Sequence, residues 1–343
     1  MSYSSNRIYY LDALRALAIV SVLVIYVFNF KYDSVVLYSP TWFICDINSV
    51  CFRIGVDLFL MLSGALSLGR DWTIKSFLSR RIPRIVAPFL FWTLLISIVL
   101  LLVSPIFSLN LVDPVEFLKN AFLGRKEYFY PNWFFWMILG TYLSMPIFNK
   151  WICHCDLKEV EYFLVLWLIT CLFDFTLYHS FPIRLSYFTS PIGLVVLGYY
   201  LRHTERKLLN NIYFDIFLIV ISSIIMILIS VMLSTPDELY SFDRYSITNA
   251  IEVIGIFLLF KNLNLKYNDD LIHNFVIRLA KYSYGIYLVH APILRVYRNF
   301  FATYNPPVKI LAPSLFVLTL ICSIILLFIF NKIPYVNRII GVK

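Results

Sequence analysis

Charged residues are scarce in this sequence. Asp, Glu, Lys and Arg make up 14% of the 343 residues, while 60% of the residues are hydrophobic and the mean hydropathy is +0.79. About a quarter of the residues of a typical soluble domain are charged, so the composition excludes that class and indicates a polytopic membrane protein. The net charge of +9 does not indicate nucleic-acid binding, because the basic residues are concentrated in alternate loops between the spans, as is usual in membrane proteins. The expected partner is the lipid bilayer.

Several features that would indicate other classes are missing. The first apolar segment is too long for a signal peptide, and no small-residue cleavage site follows it. Short strands of alternating polarity, which a membrane β-barrel needs, are absent. The sequence also lacks an internal repeat and paired spans broken by Gly or Pro, so a secondary transporter is a weak interpretation.

The six cysteines are mostly scattered and do not form a metal-binding pattern. Cys153 and Cys155 flank a histidine, but no second ligand cluster accompanies them, so we expect no metal. Cys45 and Cys51 lie close together in the sequence, and a disulfide between them is an option if that side of the membrane is oxidising.

Apolar runs long enough to span a bilayer recur through the chain. We place about ten spans at roughly 8–30, 50–68, 85–104, 133–149, 161–179, 188–201, 212–234, 247–261, 282–302 and 310–331. The sequence therefore predicts an all-α, polytopic bundle of about ten transmembrane helices, as a single domain over residues 1–343. Lys and Arg are enriched in alternate loops, which places both termini in the cytoplasm.

The first span carries polar side chains on one helical face. At about 100° per residue, this face contains Asp12, Arg15, Tyr26 and Asn29. Arg15 and Tyr26 are nearly eclipsed and lie roughly 16 Å apart along the axis. Charge inside a membrane usually marks a substrate or ion path. The alternative is an Asp12–Arg15 pair near the membrane edge that only anchors the helix.

A basic stretch, FLSRRIPRIVAPF, follows the second span. If it is helical, Arg80, Arg81 and Arg84 lie within about one turn, and their forked donors would suit the phosphates of a ligand. A plain positive-inside anchor explains the same arginines equally well. Arg15 is expected on the same side of the membrane.

Three further spans contain candidate substrate or catalytic groups. Asp57 is a second intramembrane acid, and the nearby Ser63-Gly64 pair either packs helices closely or has a specific role. Trp133 and Trp136 fit an aromatic belt or the stacking of a sugar ring. In the ninth span, Tyr287 and His290 recur at helical spacing, and the mid-span histidine is structural or catalytic.

Taken in order, these stretches resemble the membrane acyltransferase-3 family, integral membrane O-acyltransferases of bacterial surface polysaccharides. The matching stretches are LDALRALAIVSVLVIY, GVDLFLMLSG, FLSRRIPRIVAPF, NWFFWMILGTYL and SYGIYLVHAPIL, and they cover about residues 8 to 330. The chain looks like the stand-alone members, which lack an appended esterase-like domain.

The resemblance implies acyl transfer from cytoplasmic acyl-CoA, usually acetyl-CoA, to a saccharide or glycolipid hydroxyl. It implies a location in the cytoplasmic (inner) membrane of the cell envelope, with Arg15, Arg80, Arg81 and Arg84 holding the coenzyme phosphates. Asp12 and His290 are further catalytic candidates, while Asp57, Trp133, Trp136 and Tyr287 are candidates for binding the acceptor. The sequence leaves a homo-oligomer open.

The chain departs from the family pattern at the position of the catalytic base. The family has a histidine eleven residues after the basic residue of the first span, whereas this chain has Tyr26. A phenol, with an unperturbed pKa near about 10, is a poor base at neutral pH. Ala65 also replaces the aromatic residue that usually follows Ser-Gly. The competing hypothesis is therefore a non-catalytic membrane protein that binds or exports a glycan or glycolipid.

Overall fold

The computed structural model describes residues 8–32, 35–107, 115, 119, 132–176, 191–234, 245–263, 265, 270–302 and 306–342. Within these ranges the regular secondary structure is helical, without strands, as the sequence predicts. The α-helices are α1 Tyr9–Tyr32, α2 Pro40–Cys51, α3 Gly55–Ser67, α4 Ile74–Phe107, α5 Asn132–Ile152, α6 Leu157–Phe175, α7 Pro191–His203, α8 Ile212–Leu233, α9 Ile247–Asn262, α10 Leu271–Ala302 and α11 Val308–Asn331.

Five of the described segments are long and apolar enough to cross a membrane. They are Tyr9–Phe28, Pro40–Ser67, Ile74–Val99, Ile212–Leu233 and Val308–Asn331. Each overlaps one of the ten predicted spans. Helices also occupy the described parts of the other five predicted spans, for which crossing remains a prediction, as does the cytoplasmic position of both termini.

Several helix boundaries differ from the predicted spans, and two of the differences concern predicted site residues. The basic stretch that follows the second span is not a loop, because α4 begins at Ile74 and contains it. Thr73 caps this helix: its Oγ1 accepts a hydrogen bond from the Ser76 backbone N–H at 3.2 Å, and its carbonyl accepts one from Phe77. The predicted ninth span is likewise only the later part of α10, which begins at Leu271.

The chain forms two compact units, each built from two segments of sequence. The first unit comprises Met1–Trp72 and Ser144–Ala280. Within it α3 packs on α7 and on α1, and α8 packs on α9. Glycines permit the closest approaches, because a Cβ on Gly64 would lie 1.7 Å from the carbonyl oxygen of Val195. Gly198 is in the reciprocal position, where a Cβ would lie 2.0 Å from the carbonyl oxygen of Met61.

The second unit comprises Thr73–Leu143 and Lys281–Lys343. Its core contains stacked rings of Phe89 and Phe135, with centroids 3.7 Å apart. The segment after α11 is hydrogen-bonded to α4 and α10. The Trp92 indole donates to the Ile340 carbonyl at 3.1 Å, and the Gly285 N–H donates to the Gly341 carbonyl at 3.2 Å. Gly341 has φ +81°, a conformation that favours glycine.

Candidate active site

The polar face of α1, as far as its side chains are described, is partly buried in the first unit. Asp12 and Arg15 form an ion pair, with Nη1 and Oδ1 3.6 Å apart, and their side chains are 7% and 30% exposed. Ile19 and Val22, which lie between the polar residues on this face, are buried. Tyr26 is half-buried. This face therefore packs against protein over its middle and keeps a charged pair at one end.

The arginine cluster, defined as Arg80, Arg81 and Arg84, lies in the second unit on one face of the first turns of α4. Successive helical positions rotate by about 100°, so these three side chains fall within a sector of about 100°. Arg80 and Arg84 are exposed, and the Arg81 guanidinium lies 6.0 Å from the Phe77 ring centroid.

The helix continues through two prolines in this region. Pro83 and Pro88 cannot donate the usual helical hydrogen bonds, so α4 has weakened backbone pairing around the arginine cluster. The hydroxyl group of Tyr284 on α10 supports the same segment, because it donates a hydrogen bond to the Ile85 carbonyl at 2.8 Å. The cluster is thus presented on a helix that a tyrosine hydroxyl holds in place.

Asp57 is fully buried in the first unit, at the first turn of α3. Its Oδ2 accepts a hydrogen bond from Nδ2 of Asn249 on α9. Ser63 Oγ donates to the Phe59 carbonyl within α3, at 2.9 Å, and Gly64 makes the close contact with α7. The structure therefore favours the packing interpretation of Ser63-Gly64.

The remaining predicted residues lie on α5 and α10, in the second unit. His290 is fully buried, and its Nδ1 is 2.7 Å from the Tyr287 carbonyl oxygen. Tyr287 is also buried, and its ring lies 4.5 Å from that of Phe134. Trp136 is 41% exposed, as expected for a residue of an aromatic belt. Trp133 is half-buried at the start of α5.

Two groups of polar residues are not apparent from the sequence patterns. In the first unit Asp46, Asp215 and Glu252 are buried acids on α2, α8 and α9. Their signal in the sequence is a single acid within an apolar helix, and only the fold shows which neighbours they contact.

The second group is at the start of α10. His273 donates its backbone N–H to Asp270, and its Nδ1 lies 2.7 Å from the same oxygen. These hydrogen bonds lower the pKa of the Asp270 carboxyl. The contact therefore stabilises the helix start at pH values above the ordinary aspartate pKa, and this contribution disappears as the pH falls through the lowered value. The ring of Tyr9, three residues before Asp12 on α1, lies 4.8 Å from that of His273.

Cysteine and metal chemistry is limited in the described ranges. Cys45 and Cys51 are not joined by a disulfide, so that option is not realised. Nowhere in those ranges do three or more His, Cys, Asp or Glu side chains form a group that suits a metal ion.

Comparison with protein families matches residues 8–332 of the chain to an acyltransferase domain, that of the acyltransferase-3 family. The chain belongs to the acyltransferase-3 family. Family membership supports acyltransferase activity in a membrane protein, and it agrees with the resemblance that the sequence stretches indicate. Neither curated proteins nor solved structures gave a match.

The site residues predicted from the sequence fall in both compact units of this chain. Asp12, Arg15, Tyr26 and Asp57 belong to the first unit. The arginine cluster, Trp133, Trp136, Tyr287 and His290 belong to the second unit. The structure brings together Asp12 with Arg15, and Tyr287 with His290, whose ring centroids are 5.5 Å apart. The roles assigned to these residues remain predictions.

Proposed function

We propose that this protein transfers an acyl group, with acetyl as the expected one, from cytoplasmic acyl-CoA to a hydroxyl of a cell-surface or lipid-linked saccharide. The protein would act in the cytoplasmic membrane, as a multi-pass enzyme without a metal. The oxygen of the acceptor hydroxyl attacks the thioester carbonyl, the carbon–sulfur bond breaks, and the hydroxyl proton ends on the coenzyme thiol. A site enclosed by helices limits hydrolysis of the thioester.

The arginine cluster is the observation that carries the proposal for the donor. It presents three guanidinium groups on one helical face in the first part of α4, two of them on exposed residues. Coenzyme A carries several phosphate groups, and arginine pairs with phosphate through two parallel hydrogen bonds. A protein that only carries a glycan has no evident need for such a group of cations.

We expect removal of the arginine cluster to weaken acetyl-CoA binding. A hydrogen bond to a charged group contributes about 1.5–3 kcal/mol, so Arg80→Ala and Arg84→Ala should each lower the affinity about tenfold or more. Binding of radiolabelled acetyl-CoA to the purified, full-length protein measures this effect. The matched control is Lys75→Ala, an exposed cation on the opposite side of α4, which should leave the affinity unchanged.

Two results of that experiment contradict a phosphate-binding role. Equal affinity of the arginine variants and the unmodified chain means that the cluster is only a membrane anchor. An equal loss in Lys75→Ala means that net positive charge, not the placement of the arginines, determines binding. Arg84→Lys adds a further check, because lysine keeps the charge but loses the forked donor pair.

The alternative function is binding or export of a glycan or glycolipid without turnover, and Tyr26 is the observation that favours it. Transfer of label from acetyl-CoA to total envelope glycan, measured in membranes that contain this protein, separates the two functions. Transferred label supports the acyltransferase. Bound coenzyme with no transferred label, in this chain and in Tyr26→His, supports the alternative.

A further inference from the structure

Glu252 is a buried acid in the interior of the first unit. It is 2% exposed, and its Oε1 accepts a hydrogen bond from Ser223 Oγ of α8 at 2.8 Å. Its Oε2 is also buried and has no hydrogen-bond partner within the part of the chain that the structure describes. A charged carboxylate inside a helical bundle needs a cation or several donors to offset its lost hydration. One serine hydroxyl is not sufficient for that.

The charged side chain with an electrostatic effect on Glu252 is a second acid, Asp57 of α3. Asp57 is fully buried and accepts a hydrogen bond from Asn249, which lies three residues before Glu252 on the same face of α9. The negative charge of one carboxyl group therefore opposes ionisation of the other. In an interior of low polarity, two such groups do not both ionise readily.

Among the residues that the structure describes, the other titratable neighbours do not supply a positive charge to Glu252. The Cys51 thiol at the end of α2 is close to both Glu252 and the Ser223 hydroxyl. Asp46 of α2 also has an electrostatic effect on the Cys51 thiol. The Oδ1 atom of Asp46 accepts a hydrogen bond from Ser230 of α8 at 2.6 Å.

We propose that Glu252 and Asp57 form a coupled proton-binding pair within the helical bundle, in which Glu252 holds a proton at neutral pH while the nearby Asp57 opposes its ionisation. The ligand is a proton, not a metal ion, because the described part of the chain contains no suitable group of three or more metal ligands here. The two carboxyl groups titrate as one coupled unit. Intramembrane acids of this kind serve as stations for proton movement. The proposal is independent of acyl transfer.

A hydrophobic carbodiimide tests this pair directly. A protonated carboxyl group adds across one C=N bond of the reagent, with its proton passing to nitrogen, and the adduct rearranges to a stable N-acylurea. We expect dicyclohexylcarbodiimide, applied to membranes containing the full-length protein, to label Glu252 at neutral pH. Peptide mass spectrometry locates the label, which should decline as the pH is raised and be lost in Glu252→Gln.

The Asp57→Asn variant shows whether the carboxyl group of Asp57 helps Glu252 to keep its proton. Removing the negative charge of Asp57 makes Glu252 easier to ionise. Half-maximal labelling should therefore require an about tenfold higher proton concentration, that is, a lower pH. The matched control is Asp215→Asn. Asp215, on α8, is likewise a fully buried acid. Unlike Glu252, it is near the positive charge of Lys261 and accepts a hydrogen bond from Asn262. This variant should leave the labelling of Glu252 unchanged.

Either of two results overturns the proposal. One is the absence of label on Glu252 at neutral pH. The other is a half-labelling pH that Asp57→Asn does not move, which would mean that Asp57 does not influence the protonation of Glu252. If Glu252→Gln fails to fold, the peptide map of the unmodified chain still locates the label.

Discussion

Tyr26→His is expected to transfer labelled acetyl groups to envelope glycan about 10²–10⁴ times faster than the unmodified chain, which is the usual contribution of a general base. An imidazole accepts a proton near neutral pH, whereas a phenol with an ordinary pKa near about 10 does not do so efficiently. Tyr26 is half-buried, and imidazole is smaller than phenol, so the replacement fits without displacing its neighbours. The measurement is transfer from radiolabelled acetyl-CoA in membranes.

The control for this gain is Tyr10→His, a second replacement of a half-buried tyrosine by histidine in α1. It should leave transfer unchanged, because the ring of Tyr10 packs against Phe257 and the residue is outside the polar face. Equal transfer by Tyr26→His and the unmodified chain would mean that a histidine at position 26 is not required. The base would then be another group, such as Tyr26 itself or His290.

Much of the fold follows from composition and periodicity. Runs of apolar residues locate the helices, since a helix in a bilayer must satisfy its own backbone hydrogen bonds. The polar face of α1 was predictable because the period of 3.6 residues places Asp12 and Arg15 together, and the structure confirms their ion pair. The close packing at Gly64 was one of two interpretations of a small residue in an apolar span.

Helix boundaries and long-range polar contacts were harder to predict. The start of α4 depends on the Thr73 cap, and the predicted third span began at residue 85, after Pro83, although proline is tolerated inside membrane helices. Asp57 was recognised as an intramembrane acid, but its partner Asn249 is 192 positions away in the sequence. No local pattern links two such residues, nor does one link Glu252 to Ser223. Only the packing of α3, α8 and α9 brings these groups together.

Gly64→Ala is expected to destabilise the protein strongly, because α3 and α7 meet backbone to backbone at this residue. The added Cβ would lie 1.7 Å from the carbonyl oxygen of Val195 and 2.6 Å from its carbonyl carbon. Both atoms are backbone, so α3 and α7 must move apart along their contact. Overpacking a core usually costs about 1–3 kcal/mol, and a backbone clash this close should reach or exceed the upper end of that range. Thermal unfolding of the detergent-solubilised protein measures the loss.

Gly140→Ala provides the matched control, with the opposite expected sign. Gly140 lies in the interior of α5, is exposed, and a Cβ there would meet nothing within 4 Å among the described residues. Alanine in a helix is favoured over glycine by up to about 1 kcal/mol, so the unfolding temperature should stay the same or rise slightly. If Gly64→Ala and Gly140→Ala unfold at the same temperature, α3 and α7 do not depend on this close contact. A large loss in Gly64→Ala alone means that a residue without a side chain is needed where α3 meets α7.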